Sequence, residues 1–231
     1  MSRRITTDFD QLKLFFSEYT LKSHLLNETQ VTECKAMHKK LYGFMLFIAE
    51  SNRQKGSSAM GTYLAEMASD LLLSMFNWLQ GMYKPAKLEL RCSIENFLKA
   101  LQSVDNPHIL IEKSMSAVFD AAKNDQHFNN TYSATILAKF KSDYAVLCQI
   151  AHSAPRSIDS ISALNLLPKY DPKISDEVVT IFIRVIENSM GILYTQYPSV
   201  IDKMHPDNKK DFLDCLAKST KEEINKYLYD L

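Results

Sequence analysis

The sequence predicts an all-α protein, and three observations predict it. Apolar residues recur at steps of three and four along nearly the whole chain, as one face of a helix requires. Only 5 of 231 residues are Gly and 7 are Pro, which argues against turn-rich sandwiches and disordered linkers. No stretch alternates apolar and polar residues as a half-buried strand would. With 46% hydrophobic residues the chain can bury a sizeable core. The expectation is a multi-helix antiparallel bundle of about eight helices with a C-terminal helical extension.

Each element has its own signal. Thr7 or Asp8 can cap a first helix carrying Phe9, Leu12, Phe15, Phe16 and Tyr19. Thr29 precedes a second, with Val31, Cys34, Met37, Leu41, Met45 and Ile48 on one face. The polar stretch Ser51 to Ser58 reads as a turn, and Ser57 or Ser58 can cap a third helix that ends at Gly81. Pro85 suits the first turn of a fourth, whose stripe is Leu90, Ile94, Phe97 and Leu101. Asn106 can cap a short helix reaching Ala122, and a sixth runs from about Thr131 to Ala151. Pro155, Pro168 and Pro172 mark a long connection, with one short helix near Ser160 to Leu166. Helices beginning near Ser175 and Asp207 close the chain. The expected organisation is a core at 1–155, a connection at 156–173 and C-terminal helices packed on the bundle at 174–231.

Composition narrows the function classes. Lys+Arg and Asp+Glu are both 27, so no global field attracts nucleic acid or anionic lipid. The basic N-terminus is interrupted by Asp8, Asp10 and Lys13, unlike a signal peptide, and the strongest apolar run, Leu71 to Met75 continued by Phe76, Trp78 and Leu79, is far short of a membrane span. Cys34, Cys92, Cys148 and Cys215 lack metal-ligand spacing and read as buried thiols of a cytoplasmic protein. Phosphate-loop, dinucleotide, hydrolase-elbow and H-E-x-x-H signatures are missing from the sequence. The expectation is therefore no metal and no cofactor.

One constellation carries chemistry. Arg91 and Glu95, four apart, share one helix face beside the apolar stripe, so Glu95 is the nearest partner for the guanidinium. Tyr144, Cys148 and His152 align along one edge of the sixth helix, with His152 at its C-terminal turn. A charged His152 near Arg91 would suit a phosphodiester, one cation stabilising charge and the other moving a proton. The bland alternatives are an intrahelical surface pair and a C-cap histidine.

The segments Leu90-Arg91-Cys92-Ser93-Ile94-Glu95 and Tyr144 to His152 resemble the HEPN superfamily of bacterial α-helical proteins. That resemblance covers roughly residues 30 to 155. It implies an antiparallel bundle, frequent dimerisation, and roles in toxin–antitoxin and anti-phage defence. Active members are metal-independent ribonucleases with an Arg-x(4–6)-His motif. This chain departs from it, since no Arg has a His five to seven residues downstream.

Two further features have two readings each. Lys35, Lys39 and Lys40 make the second helix locally basic, either a solvated face or a contact to a phosphate backbone. Tyr63, Phe76, Trp78 and Tyr83 crowd the junction of the third and fourth helices, as core or as an interface anchor. The first functional expectation is a non-catalytic interaction or regulatory subunit of a bacterial complex, with a protein partner or a second copy. The alternative is a HEPN-like ribonuclease using Arg91 and His152, with Glu95 orienting Arg91, Tyr144 as a binding residue and RNA as substrate.

Overall fold

A computed structural model describes residues 2–18, 28–151, 168 and 170–229, and among these described residues ten α-helices and one 3-10 turn build the fold. The helices are α1 (Arg3–Glu18), α2 (Glu28–Lys55), α3 (Ala59–Leu79), α4 (Tyr83–Gln102), α5 (Met115–Ala122) and α6 (Thr131–Ala151). After them come α7 (Pro172–Gln196), α8 (Pro198–Asp202), α9 (Pro206–Cys215) and α10 (Lys218–Tyr229). The 3-10 turn, Pro107–Ile111, lies between α4 and α5, and no strand occurs among the described residues. The expected all-α bundle is what the chain forms. The expected helix near Ser160 to Leu166 lies outside the described residues.

Local chemistry sets several ends. The Ser58 hydroxyl accepts the Gly61 N–H at 3.0 Å and starts α3. Gly81 reverses the chain after α3 at φ 69°, a conformation that a Cβ disfavours. Asp171 accepts the N–H groups of Lys173 and Ile174, so α7 starts at Pro172, earlier than the Ser175 start expected. Ser114 caps α5, while Asn106 leads only into the 3-10 turn and caps nothing with its side chain.

Packing sets the others. α2 runs on to Lys55, through the stretch expected to be a turn, because α8 holds its end. Gln54 donates to the Val200 carbonyl at 2.9 Å, and Arg53 donates to that of Lys203 at 3.3 Å. The single C-terminal helix expected from Asp207 is split at Leu216, whose backbone is extended at φ −80° and ψ 140°.

The hydrophobic core is one continuous cluster from Ile5 to Ile224. α3 and α4 form a close antiparallel pair, α2 and α6 flank it, and α7 packs on α2, α4, α6 and α10. On α7, Val178, Phe182, Val185, Ile186 and Met190 are fully buried. α7 is also long and apolar enough to cross a membrane, but 67% of its apolar window is buried inside the protein, as a core helix requires. Trp78 and Tyr83 belong to the core, and the Trp78 Nε1–H donates to the Ser175 hydroxyl at 2.8 Å, tying α3 to α7. Cys34 and Cys215 are buried thiols, while Cys92 and Cys148 are only half-buried.

Candidate functional site

α4 and α6 pack side by side and carry the sequence-predicted residues. Arg91 of α4 donates its Nε–H to the Tyr144 hydroxyl of α6 at 2.9 Å, and its guanidinium carbon stands 5.2 Å from the centre of the same ring. Phe119 of α5 closes the other side of the phenol, edge-on at 5.6 Å. Burial pushes the Tyr144 hydroxyl above its ordinary pKa, against the pull of Arg91. Arg91 and Tyr144 are thus brought together, as a joint site requires. His152, the third member expected, lies outside the described residues.

Glu95 takes a different partner from the one its spacing suggested. It accepts from Lys99 at 2.9 Å, one turn further along α4, rather than holding Arg91. The physical reason is orientation. A carboxylate placed four residues before a cation on a helix is the favoured order, and Glu95–Lys99 has it while Arg91–Glu95 has the reverse. Arg91's Nη groups make no hydrogen bond among the described residues.

The basic face of α2 is dispersed. Lys40 turns inward, donating to the Glu187 carboxylate and to the Cys215 carbonyl, the latter at 2.5 Å. Lys35 lies 5.6 Å from the centre of the Phe9 ring, which secures α1. Lys39 stands close enough to the Cys215 thiol to oppose its rise, although burial still pushes that thiol up to about 11. Lys35 thus meets Phe9, while Lys39 and Lys40 both stand at Cys215.

The solvent side of α3 carries two exposed leucines adjacent in sequence, although Ile111, Leu14 and Val104 are individually more exposed. Leu72 and Leu73 are 41% and 45% exposed on a helix whose opposite face fills the core. Beside them along the α3–α4 seam run Glu66, Asp70 and Glu89, none with an ion-pair partner among the described residues. Asp70 accepts from Asn96 at 2.7 Å. Burial, helped by the charges of Glu89, Glu66 and Glu95, still lifts its carboxyl from the ordinary 3.8 to about 6.

A second polar cluster has no counterpart in the sequence expectations. Asp125 accepts the backbone N–H of His127 at 2.9 Å and faces its ring Nδ1 at 2.7 Å, while Nε2 meets the Tyr197 hydroxyl at 2.8 Å. An ionised carboxylate only accepts, so Nδ1–H donates to Asp125, and a neutral ring then takes its other bond from Tyr197. Ligand atoms of Asp105, Asp125 and His127 lie within 4.8 Å of one another, the one grouping among the described residues with a metal-like donor set. Both ring nitrogens of His127 are already engaged, so Asp105 and Asp125 are the donors left to a cation. The only sequence signal was Asp125 and His127 two apart in a polar turn, with nothing to link Asp105 or Tyr197 to them.

Comparison with protein-family models, curated proteins and solved structures finds no match.

Proposed function

We propose that this chain is a non-catalytic helical interaction protein, a subunit or regulator that docks a protein partner on the outer face of α3. The exposed Leu72–Leu73 ridge carries this reading. Exposed leucines scattered singly are ordinary, but two adjacent ones beside unpaired carboxylates form an apolar centre with a charged rim. Such a face fits a partner that presents apolar side chains among basic ones. A second copy of this chain suits it less, because a two-fold interface would bring the acidic rims together. Within the resemblance to HEPN proteins, the setting of such a partnership would be a bacterial defence or toxin–antitoxin complex.

The test is light scattering on size exclusion, with the chain alone and co-expressed with proteins encoded beside it. Wild type should co-elute with one of them at a defined stoichiometry. The Leu72→Lys, Leu73→Lys double variant should keep its helical content and elute alone. Elution of the wild type as a lone monomer under every pairing, or a double variant that still co-elutes, overturns the reading.

The Arg91–Tyr144 contact favours one second reading, a metal-independent ribonuclease in which the Nη groups of Arg91 receive a phosphate. Metal-free RNA cleavage by the wild type that is lost in Arg91→Ala and in His152→Ala, with helical content kept, would support it.

A further inference from the structure

A cavity of about 440 Å³ opens between the turns that follow α4 and α5. Asp105 and Asp125 line it, and their carboxylates come within 4.8 Å of each other. The Asp125 side chain is only 8% exposed, and its Oδ1 takes both the backbone N–H and the ring Nδ1–H of His127. Its Oδ2 accepts from no described group and is not sealed from water. Asp105 accepts from the Gln126 amide at 2.6 Å. Neither carboxylate has a Lys or Arg partner among the described residues, and Lys123 of the same turn pairs with Asp120 instead. Two like charges this close, with no cation between them, repel each other.

A third oxygen comes from outside the acidic pair. Gln102, the last residue of α4, is 1% exposed and lines the same cavity. Its Nε2–H group donates to the carbonyls of Leu98 at 3.1 Å and Val118 at 3.3 Å. Both partners are acceptors, which fixes the amide's orientation. The Oε1 that is left accepts from no described group, yet it too is not sealed from water. A nearly buried amide oxygen without a donor is unfavourable, and a cation in the cavity would satisfy it. The ends of α4 and α5 that border the cavity are C-terminal ends, which carry partial negative charge. Every feature of the lining therefore favours a cation and opposes an anion.

We propose that this cavity binds a calcium ion. Asp125, Asp105 and Gln102 supply its protein oxygens, and the exposed amides of Asn106 and Asn124 at the mouth complete the shell with water. Oxygens bound to one calcium at about 2.3–2.6 Å stand up to about 5 Å apart, which spans the 4.8 Å observed. Magnesium, with bonds of about 2.1 Å, would need them drawn to about 4.2 Å and gives up its own waters reluctantly. Zinc prefers nitrogen or sulfur, and both His127 nitrogens are engaged. His127 is a positioning residue here, holding Asp125 by Oδ1 and leaving Oδ2 to the ion. The ion would join the ends of α4 and α5 and, through His127 and Tyr197, the end of α7. The sequence gives no metal-ligand spacing because the donors come from two separate turns. This site stands apart from the α3 face and does not depend on it.

The full chain, stripped with a chelator, should be titrated at pH 7 with calcium chloride in the calorimeter, with magnesium and sodium chlorides as comparisons. The thermal midpoint is the second readout. Calcium should bind saturably at one site, at or below millimolar concentration, and raise the midpoint. Magnesium should bind at least about tenfold more weakly. Asp105→Asn, at an exposed position, should weaken calcium about tenfold, because affinity follows the number of charged ligands. Its ion-free midpoint should not fall, since one of two facing negative charges is gone. Asp125→Asn keeps an acceptor for His127, and its calcium binding should be lost. Should that buried variant fold poorly, Asp105→Asn decides the matter alone. No saturable calcium binding, equal binding by magnesium or sodium, or a calcium affinity that Asp105→Asn leaves unchanged overturns the assignment.

Discussion

Arg91 and Tyr144 hold α4 to α6 by two contacts at once, an Nε–H donated to the phenol oxygen at 2.9 Å and a guanidinium 5.2 Å from the ring centre. Burial alone would weaken the guanidinium's hold on its proton. The bond to Tyr144, with the nearby Tyr144, Cys148 and Cys92 side chains, raises its pKa instead. The two contacts join α4 to α6 whether or not a substrate reaches them.

Tyr144→Phe keeps the ring and removes the acceptor, so it should lower stability by about 1 kcal/mol. Arg91→Ala loses the cation–ring contact as well. The double variant should lose less than the sum, with a coupling on the order of 1 kcal/mol in urea denaturation. Glu95→Ala should leave that coupling unchanged, since it releases Lys99, whose side chain is only 9% exposed. Strict additivity of Arg91→Ala and Tyr144→Phe would show that the pair carries no energy.

What was legible in the sequence was the chemistry that acts over one turn. The Ser58 cap, the Gly81 reversal and the apolar stripe of α4 were readable, because a helix face and its caps are local properties, whereas on α2 the expected Met45 is exposed and Phe44 and Phe47 fill the core instead. The end of α2 was not readable either. Residues 51–55 look like a turn by composition, and they stay helical because α8 supplies partners for Gln54 and Arg53 from about 150 residues away. The break at Leu216 was hidden for the same reason, having no Gly or Pro to announce it. Of the site, Arg91 and Tyr144 were each singled out by their places on two helix faces, but their meeting was not, since it depends on how α4 packs against α6. The Asp125–His127–Tyr197 chain joins the end of α5 to the end of α7, a meeting that only tertiary packing creates.

Asp70 gives the pH dependence. Its carboxyl titrates near 6 in the folded protein against an ordinary 3.8, so the folded state holds the proton more tightly than the unfolded state does. Between about pH 4 and pH 6 the native protein binds more protons, and stability falls as pH rises through that window. Above it the charged carboxylate opposes folding by a constant amount. Asp70→Asn removes the group that titrates and keeps an acceptor for Asn96. It should flatten the slope across that window and raise stability at pH 7 by on the order of 1 kcal/mol, after allowance for screening of a partly exposed group. A parallel pH profile for wild type and variant, measured by urea midpoints, would remove Asp70 as the cause.

Gly43 offers a test in which the sign of the effect decides. In the middle of an exposed helix, Gly→Ala stabilises by roughly 1 kcal/mol, since alanine has the higher helix propensity. Gly43 sits instead where α2 crosses α9, and a Cβ there would stand 2.5 Å from the Cys215 Cβ and 2.9 Å from the Met190 Cε. The methionine end can swing aside, but the Cys215 Cβ is fixed to its backbone. α9 is also held at this point by the Cys215 carbonyl, which accepts from Lys40 at 2.5 Å, so the helix cannot retreat without losing that bond. Gly43→Ala should therefore destabilise by about 1–3 kcal/mol, the usual range for overpacking a close crossing. Cys215→Gly removes the opposing Cβ, although it creates a gap of its own. In the Cys215→Gly background, Gly43→Ala should be less damaging than in the wild type, a coupling that a double-mutant cycle in urea reads directly. Stabilisation by Gly43→Ala alone would mean that α9 lies further from α2 than the 2.5 Å approach requires.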